Sequence, residues 1–173
     1  MTDSMELKVA PTTFKEMFDF FLAGITDDMF MELTREDTEE MLEEILIAAL
    51  PQFEFPRWKN PFSLDLENKV FSTQLTSTEK MIIRMYMIVE WIGFQLASIE
   101  NIRQNYSGSD FKFTSQASHI KQLISLKNEY QQKAFKLQRI YCRREVDENG
   151  RVRSTFYKIM ENNPKYKTYS ERT

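Results

Sequence analysis

The chain has 173 residues, 42% of them hydrophobic, and a formal net charge of −3 at pH 7. This length provides the core of one domain over residues 1–173 but hardly of two. The four glycines are scattered, which excludes the Gly-rich loops that bind dinucleotides or phosphates, and the single cysteine excludes an intrachain disulfide.

The sequence predicts neither a signal peptide nor a membrane span. The N-terminus has no basic region followed by an apolar run. The most apolar stretch, Met81 to Leu96, has 16 residues and contains Arg84 and Glu90, whereas a bilayer-spanning helix needs about 20 mostly uncharged residues. We therefore expect no membrane partner.

Charge is distributed unevenly along the chain. Residues 1–100 carry 19 acidic and 8 basic side chains, whereas residues 101–173 carry 7 and 15. Such polarity predicts either electrostatic pairing of the two halves or head-to-tail self-association. The alternative is that the charges only solvate the surface, since charge alone rarely determines a partner.

A short helix follows a polar, aperiodic N-terminal segment. We expect residues 1–11 to form a mobile tail. Thr13 and Glu16 then match a capping box, in which each side chain bonds the other residue's backbone N–H. Apolar residues at spacings of three and four continue the helix, and Gly24 is expected to end it in a left-handed conformation.

A second, acidic helix and an extended arm complete the first half of the chain. The helix begins at Thr34 and ends at Pro51; residues 25–33 before it form either a loop or one helical turn. The acidic outer face holds Glu36, Asp37, Glu39, Glu40, Glu43 and Glu44. The arm, residues 51–74, is expected to lay aromatic side chains over the core and to contain a small hairpin. Its aromatic residues are Phe53, Phe55, Trp58 and Phe62, and its strands are Ser63–Asp65 and Val70–Ser72.

One long helix, from Leu75 to Tyr106, is predicted to be the centre of the fold. Thr76 and Glu79 form a capping box at its start. It is apolar on two faces, and a helix apolar on nearly every side lies in the middle of its fold or assembly. A third stripe holds Arg84, Met87, Trp91 and Gln95. Aromatic residues, Met and Arg are enriched in interfaces, so this stripe is either an inter-subunit contact or is covered by the aromatic arm.

The last long helix, Ser115 to Arg143, is amphipathic and should run antiparallel to the central helix. One face is apolar and includes Ile120, Leu123, Ile124, Tyr130, Ala134, Leu137 and Tyr141. The opposite face holds Lys121, Asn128, Gln132, Lys136, Arg139 and Arg143. Asn149-Gly150 then predicts a β-hairpin with strands near 143–147 and 151–156, followed by a polar tail that orders only against a partner. The predicted fold is therefore all-α: a bundle of about four main helices with an aromatic arm and a C-terminal hairpin and tail, residues 143–173.

No combination of residues predicts catalysis, a metal or a cofactor. His119 is the only histidine and has no visible partner for acid–base or metal chemistry. Cys142 lies beside Arg143 and Arg144, which would lower its pKa, but no Cys-His pair accompanies it. The clustered glutamates lack the Glu-x-x-His pairs of di-iron bundles. We expect a non-enzymatic protein.

The order of elements resembles the head–tail connector proteins, also called adaptor or neck proteins, of tailed bacteriophages of Gram-positive hosts. The resemblance covers roughly residues 25–142 and consists of hydrophobic spacing together with a few distinctive short segments of sequence. These segments lie at Ile25–Leu33, at Leu50–Trp58 (LPQFEFPRW), at Phe71–Ile92 (FSTQLTSTEKMIIRMYMIVEWI) and at Ser109–Leu123 (SDFKFTSQASHIKQL).

The resemblance implies a structural virion protein that is made in the host cytoplasm and forms a ring, commonly a dodecamer, beneath the portal. Its partners would be copies of itself, the portal protein and the next neck or tail-completion protein, with genomic DNA passing non-specifically through the channel. We expect residues 143–173 to dock on the portal or on a neighbouring subunit. The residues expected to carry this contact are Arg143, Arg144, Arg151, Arg153, Tyr157 and Tyr166. The alternative is a cytoplasmic helical protein that is regulatory or binds nucleic acid.

Overall fold

The structure is a computed structural model that describes residues 10–25, 33–53, 64–105, 113–146 and 152–154. It is mostly helical, which confirms the predicted all-α class. The described helices are α1 (Phe14–Leu22), α2 (Arg35–Ala49), α3 (Ser77–Asn105) and α4 (Phe113–Cys142). The strands are β1 (Leu64–Asp65), β2 (Val70–Phe71), β3 (Arg144–Val146) and β4 (Val152–Ser154).

The strands predicted for both hairpins are paired where the structure describes them. β1 pairs antiparallel with β2, with Leu64 opposite Phe71, and β3 pairs antiparallel with β4. In the β1–β2 turn the Asp65 carboxylate accepts bonds from the backbone N–H of Asn68 at 3.0 Å and its side-chain amide at 2.7 Å. These bonds lower the pKa of Asp65. Lys69 completes the turn at a φ of 53°.

The segment before α1 adds to this hairpin. The backbone N–H of Phe14 donates to Lys69 O at 2.9 Å, and that of Phe71 donates to Thr12 O at 2.9 Å. The Thr12 side chain is buried, and its hydroxyl accepts a bond from the N–H of Leu75 at 2.9 Å. Residues 1–9 of the predicted mobile tail lie outside the described residues, whereas Thr12 is anchored next to the start of α3.

The start of α1 follows the prediction in part, and its end does not. Thr13 Oγ1 accepts the N–H of Glu16 at 3.1 Å, but the Glu16 carboxylate pairs with Lys80 on α3. Gly24 does not have the predicted left-handed φ, and the α1 cap is Ala23 with a φ of −61°. A Cβ on Gly24 would lie 1.6 Å from Nη2 of Arg84. Gly24 is therefore needed for the close approach of that side chain.

Helix α2 ends where proline predicts. Thr34 Oγ1 accepts the N–H of Asp37 at 3.2 Å at its start. The α-helix stops at Ala49, and Leu50–Gln52 form one 3-10 turn containing Pro51. Phe53 after this turn is buried, and its ring centroid lies 5.9 Å from that of Tyr141 on α4. The other predicted arm aromatics, Phe55, Trp58 and Phe62, lie outside the described residues.

Helix α3 contacts α1, α2 and α4, so its apolar residues form the middle of the core. The largest fully buried side chains come from α1, α2, β2 and α3. They are Phe14, Met17, Phe21, Leu42, Leu46, Phe71, Glu79, Ile82, Ile83, Met87, Val89 and Ile92. Among residues 117–142 of helix α4, fewer are buried, namely Leu123, Ala134 and Gln138.

A buried carboxylate joins the start of α3 to the end of α4. Glu79 accepts the N–H of Thr76 at 2.6 Å, and its own N–H donates to Thr76 Oγ1 at 3.3 Å, so the predicted capping box is complete. The other oxygen of this carboxylate accepts the hydroxyl of Tyr141 at 2.5 Å. Two turns further along α3, the Tyr86 hydroxyl donates to Gln138 Oε1 at 2.5 Å. These two bonds fix the register between α3 and α4.

Helix α3 is long and apolar enough over Ser77–Ile99 to cross a membrane by length and composition alone. The core helix of a globular protein passes the same test, and three ionisable side chains within this stretch are engaged by other parts of the chain. Glu79 binds Tyr141, Glu90 accepts a bond from Gln52, and Arg84 lies over the ring of Phe20. These contacts fit a role as the core helix of a globular fold.

We expect Thr12→Val to lower the free energy of unfolding by about 1–3 kcal/mol, because it leaves the buried N–H of Leu75 without its acceptor while keeping the side-chain shape. Urea unfolding monitored by circular dichroism measures this change. Thr73→Val is the matched control, since its side chain is exposed, and it should unfold like the wild type. Equal destabilisation by both substitutions would contradict the role of the Thr12 hydroxyl.

We expect Tyr141→Phe to lower the free energy of unfolding at pH 7 by about 1–2 kcal/mol, because it removes the hydrogen bond to Glu79. The value is at the low end for bonds to charged groups, since Tyr141 is partly exposed. Burial and the bond to Glu79 raise the pKa of Tyr141 above its ordinary value of 10.0. Folding therefore favours the neutral phenol, which adds stability below pH 10 that is lost as the pH rises further.

The same variant should consequently lose less stability than the wild type when the pH is raised from 9 to about 11. Urea titrations at several pH values measure both effects. Tyr130→Phe leaves the Glu79–Tyr141 bond intact and is the control that should keep the wild-type alkaline loss. If Tyr141→Phe and the wild type lost equal stability on raising the pH, the Tyr141 hydroxyl would not be the source of the alkaline loss.

Candidate interaction surfaces

The stripe of α3 predicted to contact another subunit is mostly buried within a single copy of the chain. Met87 is fully buried and Trp91 is 8% exposed. Arg84 extends over the Phe20 ring, with its guanidinium carbon 4.8 Å from the ring centroid, and passes against Gly24. Gln95 is half-buried. The inter-subunit interpretation is wrong for Met87 and Trp91, because the same chain already covers them.

The predicted C-terminal contact residues are only partly described. Arg143 is exposed directly after α4, and its N–H donates to Ile140 O at 3.2 Å. Arg144 begins β3, and Arg153 lies opposite Glu145 in the register of the hairpin. Arg151, Tyr157 and Tyr166 lie outside the described residues. The proposed docking through these residues stays a prediction.

A shallow pocket of about 290 Å³ lies at the C-terminal end of α4. Its lining residues are Phe135, Gln138, Arg139, Cys142 and Arg143. Phe135 is 54% exposed, and the guanidinium carbon of Arg139 lies 5.7 Å from its ring centroid. An exposed aromatic ring beside two arginines has the composition that interfaces favour. The sequence analysis did not identify Phe135 as a surface residue. The available signal was its position outside the apolar face of the helix and next to Lys136.

The Cys142 thiol has a raised pKa, contrary to the prediction from its arginine neighbours. Burial disfavours the thiolate and is the larger effect, while a backbone hydrogen bond acts in the opposite direction. Arg143 follows it in sequence but is exposed to solvent, which screens its charge. The thiol therefore fits a structural role better than that of a nucleophile.

A wide, open groove of about 500 Å³ runs along the outer side of α2. Its lining residues are Glu36, Glu39, Glu40, Glu43, Glu44, Ile47 and Lys69. Glu43 binds Lys69 at 2.8 Å, which raises the pKa of the lysine, and Glu39 binds Arg35 at 3.1 Å. The remaining three glutamates form no ion pair with any described residue. Among the described residues no group of three or more His, Cys, Asp or Glu could hold a metal ion, and His119 is exposed on α4.

One residue of the predicted apolar face of α4 and one large apolar residue of α3 lie on the surface. Ile124 of α4 is 46% exposed and Phe94 of α3 is 53% exposed. Leu126 and Ile140 of α4 are also exposed. Helix α4 packs through a narrow seam, so that apolar residues flanking that seam remain outside. This helix therefore offers more apolar surface than its packing within one chain requires.

Comparisons with models of protein families, with curated proteins and with solved structures found no match to this chain.

We expect the Cys142 thiol to react more slowly with a disulfide reagent such as DTNB in the folded chain than in urea at pH 7 to 8, because burial reduces the thiolate fraction. Release of the chromophore measures the rate. Cys142→Ser, which removes the single cysteine, gives the background. Faster reaction in the folded chain would show that the neighbouring arginines outweigh burial.

Proposed function

We propose that the chain is a structural, non-enzymatic protein of the neck of a tailed bacteriophage. In this role, copies of it form a ring, commonly a dodecamer, beneath the portal and extend the DNA channel. The ring joins the portal to the next neck or tail-completion protein. The chain is made in the host cytoplasm and ends in the virion, where genomic DNA passes it without sequence-specific contact.

The resemblance in the sequence is the first support for this proposal. Its matching segments include residues of the turn after α2, of β2, of α3 and of α4. These elements supply much of the packed core, including the central helix. The described part of the resemblance thus includes residues of the packed core, whereas residues 26–32, 54–58 and 109–112 of the matching segments lie outside the described residues.

The outer surface of α4 is the observation that carries the proposal. A helix in a free monomer commonly buries its apolar residues on one side and exposes polar residues on the other. Here Ile124, Phe135 and Ile140 are exposed on the same helix as Lys136 and Arg139, which form no ion pair with any described residue. Exposed apolar residues mixed with Arg fit a surface that a partner covers.

The segment after α4 is proposed to reach the portal or a neighbouring subunit. The β3–β4 hairpin follows Arg143 directly, so it leaves the bundle at the same end as the exposed Phe135. A basic segment at this end would extend the same partner surface. This arrangement supports the contact proposed for residues 143–173.

Removing residues 143–173 tests this role in the phage that encodes the chain. We expect truncated protein to be incorporated into particles at least about tenfold less than full-length protein, because the tail supplies interface contacts whose loss costs affinity. Quantitative mass spectrometry of purified particles measures incorporation, and nuclease sensitivity of packaged DNA measures retention.

The thermal unfolding of the truncated chain is the control, because it shows whether the bundle remains folded. Normal incorporation and DNA retention by a folded, truncated chain would contradict the docking role. Absence of the full-length chain from the particle would contradict the neck function itself.

The basic side of α4 favours one other function, binding of nucleic acid by a cytoplasmic regulatory protein. Lys121, Lys136 and Arg139 are exposed there and could contact phosphates. Titration with duplex DNA at several salt concentrations separates the two functions. Sub-micromolar affinity that falls steeply with salt would favour the nucleic-acid role, whereas weak binding without sequence preference fits a channel protein.

A further inference from the structure

Two outer stripes of opposite charge lie on different helices of the chain. The acidic stripe is defined here as Glu36, Glu40 and Glu44 of α2, and the basic stripe as Lys136 and Arg139 of α4 with Arg143, which directly follows this helix. All six residues are exposed. None of them forms an ion pair with any residue that the structure describes.

The two stripes have matching dimensions. Residues spaced by three or four share one side of a helix, which applies to Glu36, Glu40 and Glu44 and to the pair Lys136 and Arg139. Arg143 continues the spacing one residue beyond the end of α4. At 1.5 Å per residue, Glu36 to Glu44 spans about 12 Å, and Lys136 to Arg143 spans about 10 Å. Three acids can therefore face three bases when the two helices lie side by side.

Exposed apolar residues border both stripes. Ile47 lies about one turn beyond Glu44 on the same side of α2 and is 43% exposed. Phe135 and Ile140 lie on either side of the basic stripe, and both are exposed. Each stripe thus combines charge with an apolar contact, and the pocket beside Phe135 has room for an aliphatic side chain.

Helix dipoles explain only part of this pattern. Acidic residues at the start of a helix and basic residues at its end stabilise it, which covers Glu36 and Arg139. Glu40 and Glu44 lie beyond the first turn of α2 and gain nothing from this effect. The dipole also gives no reason for the exposure of Phe135 and Ile47.

We propose that a second copy of this chain places its acidic α2 stripe along the basic stripe at the end of α4. The two stripes differ, so the contact is head-to-tail and leaves one stripe of each kind open on a pair of copies. Repetition of such a contact builds a ring when its rotation closes. The proposal deepens the neck function and rests on it, since it identifies the faces through which copies of the ring would meet.

Charge reversal tests the pairing with full-length chains. One variant reverses the basic stripe through Lys136→Glu, Arg139→Glu and Arg143→Glu. The other reverses the acidic stripe through Glu36→Lys, Glu40→Lys and Glu44→Lys. Each alone places like charges opposite each other, and we expect the self-association constant to fall at least about tenfold. Sedimentation velocity at low salt measures association, because exposed charges are screened beyond about 10 Å at 0.1 M salt.

Restoration is the decisive part of the experiment. A chain carrying both reversals should associate like the wild type, and so should an equal mixture of the two reversed chains. The control variant carries Lys15→Glu, Lys121→Glu and Lys133→Glu, which have the same charge change at exposed positions outside the basic stripe. It should associate more strongly than the variant with the reversed basic stripe. Thermal unfolding shows that each variant is folded.

Carbodiimide cross-linking of mixed isotope-labelled and unlabelled wild-type chains locates the contact. We expect cross-links between Lys136 of one copy and the acidic stripe of another. Association that both reversals leave unchanged, or cross-links only elsewhere, would overturn the pairing while leaving the neck function standing. A wild-type chain that shows no cross-link between copies, in solution or in particles, would also overturn it. Absence of the chain from particles would instead count against the neck function.

Discussion

The buried carboxylate of Glu79 is the constraint on which the arrangement of the helices depends. A charged group out of contact with water must have hydrogen bonds to offset its lost hydration, and Glu79 is fully buried. One oxygen accepts the N–H of Thr76 and the other accepts the Tyr141 hydroxyl. The first bond caps α3, and the second requires the C-terminal end of α4 to lie beside the N-terminal end of α3. A shift of α4 along α3 would break both the Tyr141 bond and the bond between Tyr86 and Gln138.

The fixed register also determines which residues of α4 face outward. Ala134, Gln138 and Tyr141 lie on the α3 side of this helix. Lys136 and Arg139 consequently point away from the bundle, since a helix of 3.6 residues per turn places them on another side. Thr12 has a comparable role at the same end of α3, because its hydroxyl accepts the N–H of Leu75 and so holds the start of α3 to the segment that pairs with the β1–β2 hairpin. Internal polar bonds thus determine the outer surface that any partner meets.

Local signals predicted the starts of α1, α2 and α3 well, because a capping residue acts on backbone groups within three positions. Helix α4 begins at Phe113, before the predicted Ser115. Thr13, Thr34 and Thr76 all cap as expected. The role of Gly24 was predicted wrongly, because a side chain at this position would meet Arg84, which is distant in sequence. Hydrophobic spacing identified Trp91 as covered, but spacing cannot tell whether the same chain or a neighbour covers it. The Cys142 pKa was misjudged for a related reason, since sequence neighbours reveal charge but not burial.

The exposed residues of α4 are informative because the helix is already held without them. Its buried residues and two tyrosine hydrogen bonds account for its position. Phe135 and Ile140 are exposed to solvent and therefore contribute little to the stability of the fold. Their exposure carries a solubility cost, and a covering partner removes that cost by taking apolar area out of water. A partner that also presents acids would neutralise Lys136 and Arg139. Helix α2 of the same chain has this combination, but its acidic stripe forms no ion pair with α4 within the described copy. In the proposed contact, a second copy supplies the complementary surface.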